Sequence, residues 1–260
     1  MLNVTVTGPA DGPVIVFAHG FGCGQQMWRH VAPAFDAEYR VVLFDLPGAG
    51  EADPASYDPL RHGSLDGYAV DVLTMLRDLG LSDVTLVGHS VSAMIGVLAH
   101  VAAPDVVTRL VLVNPSARYL DDDSYVGGFS EADIDDLLTL MDRNHLGWQD
   151  PLSGMVAGPE APEVKEEVEE SFCRTRPEIA AQFAAVTFRG DNRADLPLVT
   201  APTLVLQATD DVVAPVPAGT YIRDHIPGAE LVLVETRGHC AHLSAPEVTI
   251  DAIQRFLAAR

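Results

Sequence analysis

The 260-residue chain predicts an α/β protein: a mostly parallel sheet of eight strands, or near it, with helices on both faces and one inserted helical segment. Three observations carry this. Short apolar, β-branched runs alternate with longer stretches of helical period. The alternation lapses once, after Asn114-Pro115, and resumes at Thr203. The interval between has helical patterns but no good strand.

In chain order, Leu2–Val6 alternates with period two and reads as an antiparallel edge. Val14–Phe17, Val41–Phe44, Val84–Val87, Leu110–Val113, Thr203–Leu206 and Leu231–Val234 are compact enough in their apolar residues to be strands buried on both faces. The clearest helix starts after Ser64, a natural N-cap, and repeats Leu65, Tyr68, Val72, Leu76 and Leu79 before Gly80 stops it. A second begins at Ser90, and a last one carries Ile250, Ile253, Phe256 and Leu257. The interruption holds helical patterns over Glu131–Arg143, Pro162–Cys173 and Pro177–Phe188, so the expected division is a core of residues 1–114 and 200–260 with residues 115–199 inserted.

Composition narrows the function. Lys plus Arg is 16 against 37 for Asp plus Glu, a formal charge of −21 that repels phosphate backbones and anionic lipid surfaces, so neither nucleic acid nor membrane is an expected partner. No run of eighteen apolar residues and no basic leader occurs, which reads as a soluble chain without a signal peptide. Cys23, Cys173 and Cys240 are odd in number and lack CxxC spacing; this argues against a disulfide framework or a zinc site, and for a reducing cytoplasm. Each cysteine reads as a small buried hydrophobe.

The chemistry begins at Val84–Val87, Gly88-His89-Ser90-Val91-Ser92 and the helix that follows. A strand, a sharp turn carrying serine and a helix make the nucleophile elbow of the α/β-hydrolase fold, here with Ser92 in place of the usual final glycine. The turn lifts the Ser90 hydroxyl beside a helix N-terminus whose free N–H groups can stabilise an oxyanion. Serine needs a base, and the base an orienting carboxylate. In the fold's order of nucleophile, acid and base, Thr203–Leu206 leads into Asp210-Asp211 and Leu231–Val234 into Gly238-His239, and strand carboxyl ends share one rim of a parallel sheet. Asp211 and His239 are the favoured pair, with Asp210 and His242 as the neighbours weighed against them; His242 and His89 are read as supporting or pocket-lining groups. The second oxyanion donor is expected in Ala18-His19-Gly20-Phe21-Gly22-Cys23-Gly24, from the backbone of Phe21, with Val91 supplying the first. That loop lacks a P-loop lysine and a dinucleotide fingerprint, and Asp45-Leu46-Pro47-Gly48 is read as a turn. No metal and no organic cofactor is called for.

Taken together, Gly20-Phe21-Gly22-Cys23 with Met27-Trp28, Gly88 through Gly96, Gly127-Gly128-Phe129, Phe172-Cys173, Asp211-Val212-Val213-Ala214-Pro215 and Gly238-His239-Cys240-Ala241-His242 resemble the RsbQ-like α/β hydrolases. That branch includes a bacterial energy-stress regulator and the plant karrikin and strigolactone receptors. The resemblance implies a V-shaped lid of four helices over a small apolar pocket and prefers Asp211 to Asp210. It further implies a pocket lined by Phe21, His89, Trp148, Phe172 and Val212, and Phe129, His145 and Phe188 complete the expected lining. It implies a serine hydrolase acting slowly on a small apolar ester or lactone and tied to signalling. The alternative it implies is a ligand-binding regulator that activates a PAS-domain phosphatase with little turnover. Departures are His145 where such proteins carry Tyr, Glu51 for a His, and Ala241 for a Pro, so ligand identity does not transfer.

Overall fold

The computed structural model describes residues 2–143, 147–159 and 161–259, built around one sheet. Its strands are β1 (Val4–Thr7), β2 (Val14–Ala18), β3 (Arg40–Phe44), β4 (Val84–His89), β5 (Val107–Val113), β6 (Thr203–Asp210) and β7 (Glu230–Arg237). They lie in the order β1-β3-β2-β4-β5-β6-β7. All pairings are parallel except that of β1 with β3. Seven strands are found among the described residues, within the expectation of eight or near it. Ahead of β2 the chain makes a single strand, and a turn closed by the Gly12 N–H on the Pro9 carbonyl sends it straight into the sheet.

The helices are α1 (Leu65–Asp78), α2 (Val91–Ala102), α3 (Glu131–Arg143), α4 (Gln149–Ala157), α5 (Pro162–Arg174), α6 (Pro177–Arg189), α7 (Val216–His225), α8 (Ala241–Ser244) and α9 (Pro246–Ala258). Period two along the strands divides the core. Val16, Val42, Leu86, Leu110 and Leu112 pack with α1 and α2, while Ile15, Phe17, Val87, Val111 and Leu206 pack with Trp28, Phe35 and α9. Each such side chain taken out of water contributes about 1.5–3 kcal/mol, and both faces are covered. Ser64 does sit at the start of α1, but its hydroxyl donates to Asp66 Oδ2 at 3.0 Å and makes no capping bond to the backbone.

Between β5 and β6 lie α3 to α6, with α4 against α5 and α3 against α6. Among the described residues no helix is long and apolar enough to cross a membrane, and no group of His, Cys, Asp or Glu could hold a metal ion.

Candidate active site

Three strand ends define the site. β4 ends at His89, and Ser90 then adopts φ 57 and ψ −124, a conformation that costs a non-glycine residue on the order of 1–3 kcal/mol and persists only where its surroundings enforce it. The enforcement is local: the Ser90 N–H donates to the Val113 carbonyl of β5 at 2.9 Å, and α2 starts at the next residue. Gly88 permits the reversal, because a Cβ there would lie 2.3 Å from the Ser92 carbonyl oxygen. Gly88→Ala is expected to destabilise the fold by about 1–3 kcal/mol, the cost of overpacking against backbone, as measured by denaturant unfolding. Ser92, the residue that departs from the elbow pattern, donates its hydroxyl to the His19 carbonyl and ties the loop after β2 to the elbow.

The Ser90 hydroxyl donates to His239 Nε2 at 2.7 Å, and His239 Nδ1–H donates to Asp211 Oδ2 at 2.7 Å. All three residues are buried. The same Asp211 oxygen accepts from Asn114 Nδ2 at 2.7 Å, and its other oxygen accepts the N–H groups of Val213 and Ala214 at 2.9 and 3.0 Å. Burial alone would raise the Asp211 pKa. The adjoining His239 and these hydrogen bonds outweigh it and hold the carboxyl below its ordinary value, so it is ionised at neutral pH. Asp210, the neighbouring candidate, is exposed and pairs with Arg237.

His239 is held through its backbone as well. Its N–H donates to the Val156 carbonyl of α4 at 2.7 Å, and its own carbonyl accepts from His89 Nε2 at 2.8 Å. Gly238, at φ 85, lets α4 come this close, since a Cβ there would meet the Ala157 carbonyl oxygen at 2.3 Å.

The backbone N–H groups of Phe21 and Val91 have no hydrogen-bond partner among the described residues. Phe21 lies in the loop after β2, and Val91 opens α2 directly after Ser90. His19 braces the loop, accepting the Leu46 N–H at 3.0 Å and donating Nδ1–H to the Gly20 carbonyl, and burial lowers its pKa.

Beside Ser90 lies a cavity of about 20 Å³, walled by Phe21, Cys23 and Val213 from the core, Leu152 and Val156 from α4, Phe172 from α5, and Thr187 and Phe188 from α6. A larger hollow of about 560 Å³, near Ser64 and Arg189, is open and away from Ser90. Of the expected lining, Phe21, His89, Phe172 and Phe188 are found at the cavity. Three expectations need correction. Val212 is 58% exposed and Val213 lines the cavity instead, because the turn that delivers two N–H groups to Asp211 rotates residue 212 outward. Trp148 stands behind the wall, its ring 6.0 Å from Phe21 and 5.0 Å from Phe172. Phe129 packs edge-on against Phe188 at 5.9 Å and is not among the described lining residues. His145 lies outside the described residues.

Two site residues carry no sequence signal of the motif kind. Asn114, at the end of β5 with φ 47, completes the shell of Asp211. Tyr119 has its hydroxyl 3.1 Å from Ser90 Oγ; the serine proton is committed to His239, so Tyr119 is the donor, and burial raises its pKa. The only cue is for Asn114, which directly follows the end of β5 on the active rim; Tyr119, further along the irregular chain after it, has none. Cys23 and Cys240 are buried free thiols, and burial pushes Cys23 up to about 12, as inert as the sequence suggests.

Behind His239 lies an unusual pair. His242 lies between Trp28, with ring centroids 4.5 Å apart, and His89 at 4.4 Å, both rings tilted against it, and neither of its ring nitrogens has a partner among the described residues. Burial, then the nearby His239, lowers its pKa to about 3; burial, then His242, lowers that of His89 as well. Both rings are neutral when folded and take up protons when unfolded, so their stabilisation is complete above an unfolded pKa of about 6.5 and is lost as pH falls towards the folded values. Each costs on the order of 1.4 kcal/mol per pH unit in that window. Denaturant midpoints taken from pH 7.5 to 4.5 are expected to fall steeply below about 6.5. His242→Leu should remove about one proton from that slope, and an unchanged slope would refute the assignment.

The alpha/beta hydrolase family model matches residues 15–252. A rice protein (Oryza sativa subsp. japonica) described as a probable esterase is 39% identical over 257 residues, covering 98% of this chain and 95% of the rice protein. "Karrikin insensitive 2 receptor CA" of Petunia hybrida is 37% identical over 257 residues, with 98% and 95% covered. Among solved structures, olei00960, a hydrolase from Oleispira antarctica, superposes with a TM-score of 0.96 at 34% identity, covering 100% of this chain and 95% of that one.

Proposed function

Because the chain belongs to the alpha/beta hydrolase family, we propose that Ser90, His239 and Asp211 act as nucleophile, base and orienting acid in the hydrolysis of a small, largely apolar ester or lactone. The observation that carries this is the pair of 2.7 Å hydrogen bonds linking a buried carboxylate through an imidazole to a serine at φ 57.

As His239 Nε2 takes the hydroxyl proton, Ser90 Oγ adds to the substrate carbonyl carbon. The oxygen that becomes negative is met by the Phe21 and Val91 N–H groups, donors that need no reorganisation. Collapse breaks the bond to the alkoxy group, which leaves with the proton held on His239. Water then adds to the acyl-enzyme as His239 takes one of its protons, and collapse returns that proton to Ser90 with release of the acid. Asp211 stays ionised throughout; it fixes the tautomer that leaves Nε2 free and stabilises the imidazolium.

A cavity of about 20 Å³ holds roughly one water, so substrate entry requires the helices that wall it, α4, α5 and α6, to move. The wall is almost wholly apolar, which favours esters and lactones of low polarity. Turnover of 4-nitrophenyl acetate and of simple lactones by the purified chain tests the reading; absence of turnover on both, with no labelling of Ser90, would remove it. Similarity to the petunia receptor favours a second reading, in which a ligand-altered lid recruits a protein. A PAS-domain phosphatase as that protein rests on motif resemblance alone, and capture of such a phosphatase with and without lactone tests it.

A further inference from the structure

Among the described residues, the cavity wall contains one hydroxyl donor that the reaction does not use. Thr187, in the last turn of α6, lines the cavity and is 4% exposed, and its Oγ1 has no partner among the described residues. A helical threonine ordinarily relieves such a hydroxyl by donating to the carbonyl one turn back. Here the carbonyl of Phe183 does not receive it.

Of the other polar groups at the cavity, all but His89 Nδ1 are committed. Ser90 donates to His239, Tyr119 donates to Ser90, and His239 uses both ring nitrogens. His89 spends Nε2–H on the His239 carbonyl; its Nδ1 then carries no proton and can only accept, and it has no partner among the described residues, lying beside the Gly20 backbone, where an added Cβ would sit 2.6 Å away. The rest of the wall is apolar apart from the Cys23 thiol, a weak donor.

We propose that Thr187 is a specificity-determining residue whose hydroxyl bonds a second oxygen of the substrate, remote from the scissile carbonyl, so that the preferred substrate is a small ester or lactone bearing an additional ether or carbonyl oxygen. A buried hydroxyl left unpaired penalises a ligand that cannot reach it, whereas a ligand oxygen in its place recovers the lost bond. Sites built this way reject the deoxy analogue far more sharply than apolar walls reject an extra group. The inference rests on the hydrolase reading of Ser90.

The test uses δ-valerolactone and 1,4-dioxan-2-one, rings that differ only by one methylene exchanged for oxygen. In wild type and in Thr187→Val and Thr187→Ser proteins, kcat/KM is measured for both by acid release. Thr187→Val should lower the preference for the dioxanone about tenfold, the worth of one hydrogen bond, and Thr187→Ser should retain it. Equal loss on both substrates, or no change in preference, overturns the proposal. If wild type opens neither ring, turns over no 4-nitrophenyl acetate and takes no fluorophosphonate label at Ser90, the hydrolase reading fails instead. Thermal-shift binding of the two lactones to Ser90→Ala protein, with and without Thr187→Val, then decides Thr187 by the same change in preference.

Discussion

Ser90→Ala is expected to leave the protein folded and to lower kcat by about four to six orders of magnitude. The chain should stay folded because the elbow is held by backbone groups: the Ser90 N–H on Val113, the Ala93 N–H on the Ser90 carbonyl, and Ser92 on His19. None of these uses the Ser90 hydroxyl. What the substitution removes is the atom that joins the carbonyl carbon, and without it the Phe21 and Val91 donors can only polarise substrate towards water, which accounts for a small residual rate. Circular dichroism and denaturant midpoints close to wild type, with activity lost, are the expected combination. Activity within tenfold of wild type would mean that another group performs the attack.

Asp211→Asn is expected to lower kcat about 10⁴-fold with little effect on KM. Asp211 receives five hydrogen bonds, two at Oδ1 and three at Oδ2, the longest from Gln207 Nε2 at 3.5 Å. An amide has one oxygen to offer. If it faces the Val213 and Ala214 N–H groups, its NH₂ confronts the donors of both His239 and Asn114; if it faces those, it confronts the two backbone donors. The first arrangement forces His239 to the other tautomer, with the proton on Nε2 where Ser90 needs an acceptor. The mismatch also costs about 1–3 kcal/mol of stability through unpaired buried groups. Asp210→Asn, one residue away on an exposed side chain, should change kcat less than about twofold, as expected for an exposed pair of negligible energy. Comparable losses in the two variants would show that local charge, and not the carboxylate geometry, governs the rate.

The parts of this site that can be read from sequence are those tied to the ends of strands. Val84–Val87, Thr203–Leu206 and Leu231–Val234 are apolar runs with sharp ends, and a parallel sheet brings such ends to one rim whatever the loops do, so Ser90, Asp211 and His239 follow from topology. Residues that join the site through side-chain packing leave no such trace. Asn114 marks only the end of a repeat, and Tyr119 lies in irregular chain whose course is set by contacts such as the Phe129 N–H on the Tyr119 carbonyl. The exchange of Val212 for Val213 depends on a single turn around Asp211, below the resolution of pattern reading. Helix α4 is not legible in its residues because Pro151 and Gly154 interrupt nine positions, nor is α7, whose moderate amphipathicity begins directly after Pro215. Trp148 does stand near the pocket, yet aromatic rings pack in layers, and it belongs to the second one, behind Phe21 and Phe172.

The central claim is that His239, aligned by Asp211, makes the Ser90 oxygen nucleophilic. Labelling with a fluorophosphonate followed by peptide mass spectrometry tests it without knowledge of the substrate. The account predicts a single adduct on Ser90 in wild type, none in Ser90→Ala, and labelling slowed at least about a hundredfold in His239→Ala, within the range general-base catalysis contributes. An unlabelled Ser90 in folded wild-type protein, or labelling as fast without the imidazole as with it, would contradict the account.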